Sequence, residues 1–160
     1  TNYARTDWSA PENRQMIKTA VDDWMMDDLP RFAKLYDVPL NNNPHFPINT
    51  LNLMRGAVAV LDSGHFETYI GAVFKAIWVD SKNMGDMDTV IEVLSNEGLN
   101  ASAIVESTQD AEVKEKLISN TQAAVERGLF GAPTMFVDGE MFFGQDRLQF
   151  VEAVLQQKDN

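Results

Sequence analysis

The residues of this chain that could do chemistry are few. Between residues 128 and 147, the stretch GLFGAPTMFVDGEMFFGQDR brings Ala132-Pro133 and Gly144-Gln145-Asp146 into one short segment. A proline opening a strand gives no donor to the ladder and belongs at an edge. Read from the residues alone, Pro133 is a trans proline of that kind, cis being the rarer isomer. Asp146 stands at a predicted helix start, where a carboxylate can hold a cation while free N–H groups hold an anion. Plain helix capping by Asp146 is compatible with that role, and Arg147 reads as an ion-pair partner. Upstream, Lys18 is a cation in an acidic protein, as suited to anchoring an anion as to a solvated helix face. Asn13 lies on the same stretch. His45 and Phe46 sit in the loop LNNNPHFPI, where an aromatic at the tip can line a pocket. His45 reads first as a loop histidine bonded to backbone. Trp78 either closes that pocket or is core.

Composition removes other chemistries. The 160 residues contain no cysteine, so disulfides, thiol nucleophiles and CxxC redox pairs are absent from them. The two histidines lack metal-ligand spacing, and no metal is expected. A net charge of -11 argues against nucleic acid and anionic membranes. No apolar run approaches a membrane span and no N-terminal signal is visible, which is compatible with a cytoplasmic protein. The length suits one domain with a substantial core.

The elements that must position these residues are mostly helices. A helix is expected from Ser9 as N-cap to about Asp28, with Ile17, Val21, Trp24 and Met25 apolar; Pro30 opens a new short helix or kinks the first. Asn49 caps a helix with the stripe Leu51, Met54, Val58 and Leu61. A helix over His65–Asp80 buries Phe66, Ile70, Val73, Phe74 and Ile77. Asp88 caps Thr89–Asn96, and Gly98 supplies its exit. Ala101–Glu106 forms one or two short turns. A longer helix from Asp110 to Arg127 carries Val113, Leu117, Thr121 and Ala124, and Gly128 stops it. Then the period changes. Thr134–Val137 and Glu140–Phe143 flank Asp138-Gly139, a strong hairpin signal because both central residues need positive φ. Asp146 caps a last helix burying Leu148, Val151 and Leu155. Two strands alone are marginal. Nothing upstream of Gly128 offers another, so a βαβ unit is expected before Thr1 or from another chain.

The stretch GLFGAPTMFVDGEMFFGQDRL resembles the C-terminal half of the thioredoxin-like domain in 2-hydroxychromene-2-carboxylate isomerases. These are relatives of kappa-class glutathione transferases and DsbA-type oxidoreductases. ENRQMIK, DLPRFAKLYDVPL, NPHFPINTLNLMRGAVAV and the helix ending FKAIW agree. The resemblance implies an α/β, thioredoxin-like fold with a large all-helical insertion. Residues 1–127 would be mainly that insertion and 128–160 the C-terminal ββα half, the N-terminal strands being missing from this chain. It implies a glutathione-dependent isomerase of aromatic degradation, or a kappa-like transferase.

The resemblance further implies a cis Pro133, with Ala132 pairing its backbone to the cysteinyl unit of glutathione. Gly144, Gln145 and Asp146 would hold the γ-glutamyl end. Lys18 would reach the glycyl carboxylate, and Asn13, His45 and Phe46 would face a small aromatic substrate. Family members often dimerise. The catalytic serine, in a Ser-Pro-x-x-Tyr pattern, has no match in these residues and is expected before Thr1. A DsbA-like disulfide oxidoreductase, with its CxxC also before Thr1, is the alternative. A non-catalytic binding module is a third, should the chain be complete.

Overall fold

In a computed structural model of the chain, residues 10–156 are described. The order is α1 (Pro11–Tyr36), α2 (Leu51–Ala59), α3 (Phe66–Trp78), α4 (Met87–Asn96), α5 (Ala101–Ser107) and α6 (Ala111–Glu126). The hairpin β1 (Thr134–Val137) and β2 (Glu140–Phe143) follows. A 3₁₀ turn, Gln145–Arg147, leads into α7 (Leu148–Gln156). The hairpin pairs antiparallel with Thr134 opposite Phe143 and Val137 opposite Glu140. Asp138 and Gly139 have φ of 52° and 84°, the two positive values a two-residue turn of this twist requires. Both strands and their turn fall where the sequence put them.

The buried cluster is drawn wholly from the helical part, from Leu53 to Ala101. Tyr69, Met84 and Leu94 are its largest fully buried side chains. Small residues make this packing possible. A methyl group at Gly56 would overlap the Tyr69 hydroxyl, so Tyr69 lies against bare backbone of α2. From there its hydroxyl donates to the Leu53 carbonyl at 2.8 Å. Burial pushes the Tyr69 phenol up to about 12, because the phenolate would lose its hydration.

Several expectations need correction. Pro30 neither starts nor ends a helix: α1 runs through it. Pro30 gives no N–H to the Met26 carbonyl, but the helix formers on both sides carry the element across. An ion pair from Arg31 to Asp28 at 3.2 Å spans the same turn. The N-cap is Ala10, and Ser9 lies outside the described residues. On α2 the N-cap is Thr50, although the Asn49 carboxamide does accept from the Leu51 N–H at 3.1 Å. Asp86, not Asp88, caps α4, taking the Thr89 N–H at 3.0 Å. The last helix begins with the 3₁₀ turn after Gly144, and Asp146 makes no capping bond.

The buried faces also differ. On α2 they are Leu53, Gly56, Ala57 and Val60, while Leu51, Met54 and Leu61 are exposed. On α3 Tyr69, Ala72 and Ala76 join Val73 and Ile77 inside, and Phe74 faces out. On α6 and α7 no residue is fully buried, and on α1 Trp24 and Met25 are exposed. The side chains of Ile17 and Val21 lie outside what is described.

Candidate functional site

Two walls can be built from the residues upward. The first is the segment around the hairpin. The Ala132–Pro133 bond is cis, as the resemblance implies. The Thr134 hydroxyl donates to the Gly131 carbonyl at 2.6 Å, closing the turn before β1. Ala132 is exposed and lies outside the paired register, which begins at Thr134.

The Gly144 N–H donates to the Pro133 carbonyl at 3.0 Å, and this bond seats the turn Gly144–Asp146 beside Ala132-Pro133. Gly144 is buried with a φ of 102°. An added Cβ there would stand 2.6 Å from Asp146 Oδ1, so the carboxylate lies over glycine backbone. Asp146 Oδ2 accepts from Arg147 Nη1 at 2.6 Å, the expected ion pair. The chain thus brings Ala132, Pro133, Gly144, Gln145 and Asp146 together. Phe143 forms one side of this wall, packed at a tilt on Phe130 at 4.7 Å between centroids and filling the space over Gly131.

The second wall is a groove of about 190 Å³ between α2, α3 and the loop before α2. Phe46, Ile48, Met54, Ile70, Phe74 and Trp78 are among its lining residues. Phe46 stacks against Trp78 at 5.6 Å. Asparagines fix this loop by satisfying carbonyls that the end of α3 leaves open. The Asn41 N–H donates to the Trp78 carbonyl at 2.6 Å, and its carboxamide donates to Val79 O. Asn43, 2% exposed, donates from Nδ2 to Ile77 O at 2.9 Å and to Lys82 O at 3.0 Å. Its Oδ1 accepts from the His45 N–H at 2.9 Å. The bonded group of His45 is therefore its backbone, and its ring is exposed. The Phe46–Pro47 bond is also cis, which nothing in the sequence reading anticipated.

Tyr36 joins the walls. Its hydroxyl donates to the Gln145 carbonyl at 3.4 Å. Five residues later Asn41 is bonded to α3, and five residues span at most about 18 Å. Both walls therefore lie at the two ends of one short segment. Lys18 stands apart: it is exposed on α1, about 27 Å along the helix from Tyr36 at 1.5 Å per residue. Asn13 is on the same helix, and its side chain lies outside what is described. Tyr36 was missed by the sequence reading. Its position at the last residue of a helix, before Asp37-Val-Pro39, was the available signal.

Among the described residues no group of three or more His, Asp or Glu could hold a metal ion. Among them, too, no helix is long and apolar enough to cross a membrane.

The family model of the DSBA-like thioredoxin domain matches residues 8–156. The chain belongs to this family. Within the DsbA-like family, the chain is 32% identical over 146 residues to the 2-hydroxychromene-2-carboxylate isomerase of Sphingobium xenophagum, covering 91% of this chain and 72% of that protein. It is 34% identical to the isomerase of the same name from Pseudomonas sp. (strain C18), covering 89% and 65%. The glutathione S-transferase kappa 1 of Caenorhabditis elegans is 31% identical, covering 83% and 65%. A solved selenomethionine form of 2-hydroxychromene-2-carboxylate isomerase superposes with a TM-score of 0.78 at 29% identity, covering 92% of this chain and 71% of that one. The chain spans between 65% and 72% of the length of these relatives. This DsbA-like chain therefore belongs to an enzyme family and groups there with isomerases and kappa transferases. Its mainly helical fold with a small two-stranded sheet superposes on the matched part of that isomerase structure.

Proposed function

We propose that the protein is a glutathione-dependent isomerase acting on a small aromatic compound of the 2-hydroxychromene-2-carboxylate type, with kappa-like glutathione transfer as the neighbouring reaction. The observation that carries this reading is the Gly144-to-Pro133 hydrogen bond, which sets the exposed Ala132 beside a carboxylate-bearing turn. Both features suit a γ-glutamyl tripeptide. The Ala132 backbone pairs with its cysteinyl unit, as an added strand would. Asp146 faces its α-ammonium, and the N–H groups of Gln145 and Asp146 face its α-carboxylate. Arg147, already on Asp146 Oδ2, holds that carboxylate in orientation.

When bound, glutathione supplies a thiolate that adds reversibly to the substrate and is released unchanged. The protein's part is to orient it, to favour its ionised form and to exclude water. No residue among those described is assigned the thiolate-stabilising role. Phe46 and Trp78 offer an aromatic face to the substrate's ring. Lys18 is not assigned to the same tripeptide, given its distance along α1 from Tyr36.

The reading extends to a helical unit over 1–127 and a ββα unit over 128–160, supported by a buried cluster confined to residues 53–101. It includes a cytoplasmic location and a homodimer. Exposed apolar side chains on β2 and α7, among them Met141, Leu148 and Phe150, leave an apolar face for a second chain or a βαβ unit to cover.

Calorimetry of this chain with glutathione tests the site, and turnover of 2-hydroxychromene-2-carboxylate with and without glutathione tests the reaction. No heat and no thermal shift at millimolar glutathione would overturn the assignment of the turn.

A further inference from the structure

The C-terminus of α1 meets the ligand turn at one side chain. Tyr36 is the last residue of α1, and its hydroxyl donates to the backbone carbonyl of Gln145 at 3.4 Å, across 109 residues of sequence. Its ring packs on Phe32, one helical turn back, at 5.8 Å between centroids. Directly after it the chain reverses. Asp37 takes a left-handed conformation with a φ of 53°, and the Val38 N–H returns to the Ala33 carbonyl at 2.9 Å. The tyrosine is thus held by its own helix on one side and by the chain reversal on the other, with its hydroxyl projecting to Gln145.

The Gln145 carbonyl belongs to the turn Gly144–Arg147. Two backbone bonds brace that turn, from Gly144 N–H to Pro133 O at 3.0 Å and from Arg147 N–H to Gly144 O at 3.2 Å. The 3₁₀ geometry of Gln145–Arg147 orients the peptide between Gln145 and Asp146, and neither of these two bonds reaches the outer side of the Gln145 carbonyl. That peptide carries the Gln145 carbonyl at one end and the Asp146 N–H at the other. A second donor on the carbonyl therefore braces the direction of the N–H and the point where the Asp146 side chain leaves the backbone.

We infer that Tyr36 is a positioning residue for the γ-glutamyl end of the ligand, orienting the Gln145–Asp146 peptide through its hydrogen bond to the Gln145 carbonyl. This rests on the glutathione reading of the turn. Tyr36 touches no ligand in this role, and the Tyr36→Phe substitution keeps the ring against Phe32 while removing the donor.

The test compares two ligands on two proteins. Glutathione and cysteinylglycine, which lacks the γ-glutamyl group, are titrated by NMR into wild type and Tyr36→Phe. Loss of this long, exposed hydrogen bond weakens glutathione binding about two- to threefold, the low end for such bonds. Cysteinylglycine affinity is expected to stay unchanged, which a general loosening of the fold would not allow. Thermal unfolding of the two proteins is measured alongside. Equal glutathione affinity in wild type and variant, or equal weakening of both ligands, overturns the role of Tyr36. A wild type that binds glutathione no tighter than cysteinylglycine overturns the reading of the turn itself, and the inference with it.

Discussion

Replacing Tyr69 with phenylalanine separates two consequences of burying one hydroxyl. The side chain is 2% exposed and donates to the Leu53 carbonyl at 2.8 Å. Below pH 9 the substitution removes that bond. The Leu53 carbonyl keeps its place in the intrahelical ladder of α2, so it is not orphaned, and the loss is about 1 kcal/mol.

At high pH the sign reverses. The folded phenol titrates at about 12, above its ordinary value of 10.0. Its contribution is fully present below pH 10 and is lost as pH rises through 12, because the unfolded state gives up its proton first. Between those limits wild type loses about 1.4 kcal/mol by pH 11 and roughly 2.3 kcal/mol by pH 12 from this residue. Phenylalanine has no such loss. Urea unfolding of both proteins at pH 8, 10, 11 and 12 should therefore show the variant less stable at pH 8, equal near pH 11 and more stable by about 1 kcal/mol at pH 12. Taking the difference between the two proteins cancels the titration of other groups. A difference that stays constant across this range would refute the account of Tyr69 as a phenol held neutral by burial.

Other outcomes follow from single contacts. Asn43→Ala removes three hydrogen bonds around a buried carboxamide and exposes the end of α3, at a cost of about 2–4 kcal/mol in chemical unfolding; a loss under 1 kcal/mol would show that water replaces the side chain. Gly144→Ala places a methyl group against Asp146 Oδ1 in a left-handed backbone, costing about 1–3 kcal/mol. Glutathione affinity should fall with it, and an unchanged calorimetric titration would separate Asp146 from the ligand. The Thr89 hydroxyl and N–H both donate to Asp86 and hold its carboxyl below the usual range. That stability is present above the ordinary carboxylate value and is lost as pH falls through the depressed one. Thermal melts of wild type and Asp86→Asn from about pH 5 to pH 2 should therefore converge as the pH drops; parallel curves would argue against Asp86 as the titrating group.

Much of the C-terminal segment was legible in the sequence because its signals are local. Asp138-Gly139 dictates a tight turn from its own backbone preferences, and a two-residue turn fixes the register of the four residues on either side. Gly98 and Gly128 end helices in the left-handed conformation for the same reason. The closeness of Ala132-Pro133 to Gly144–Asp146 was legible too, since these residues lie within fifteen residues of one another and share one hairpin.

Tertiary structure decided what depends on distant partners. The buried face of α2 was misread because α2 is apolar on more than one side; only the approach of Tyr69 to Gly56 selects Leu53, Ala57 and Val60 over Leu51 and Met54. Asp86 and Asp88 are both chemically able to cap, and the path of the preceding loop chooses Asp86. Pro30 costs α1 a hydrogen bond, yet the helix continues because the residues around it favour helix on both sides. The joining of the two walls by Tyr36 and Gln145 spans 109 residues. A pairing of that separation leaves no periodicity or spacing in the sequence, since it arises only when packing elsewhere has already brought the two elements together.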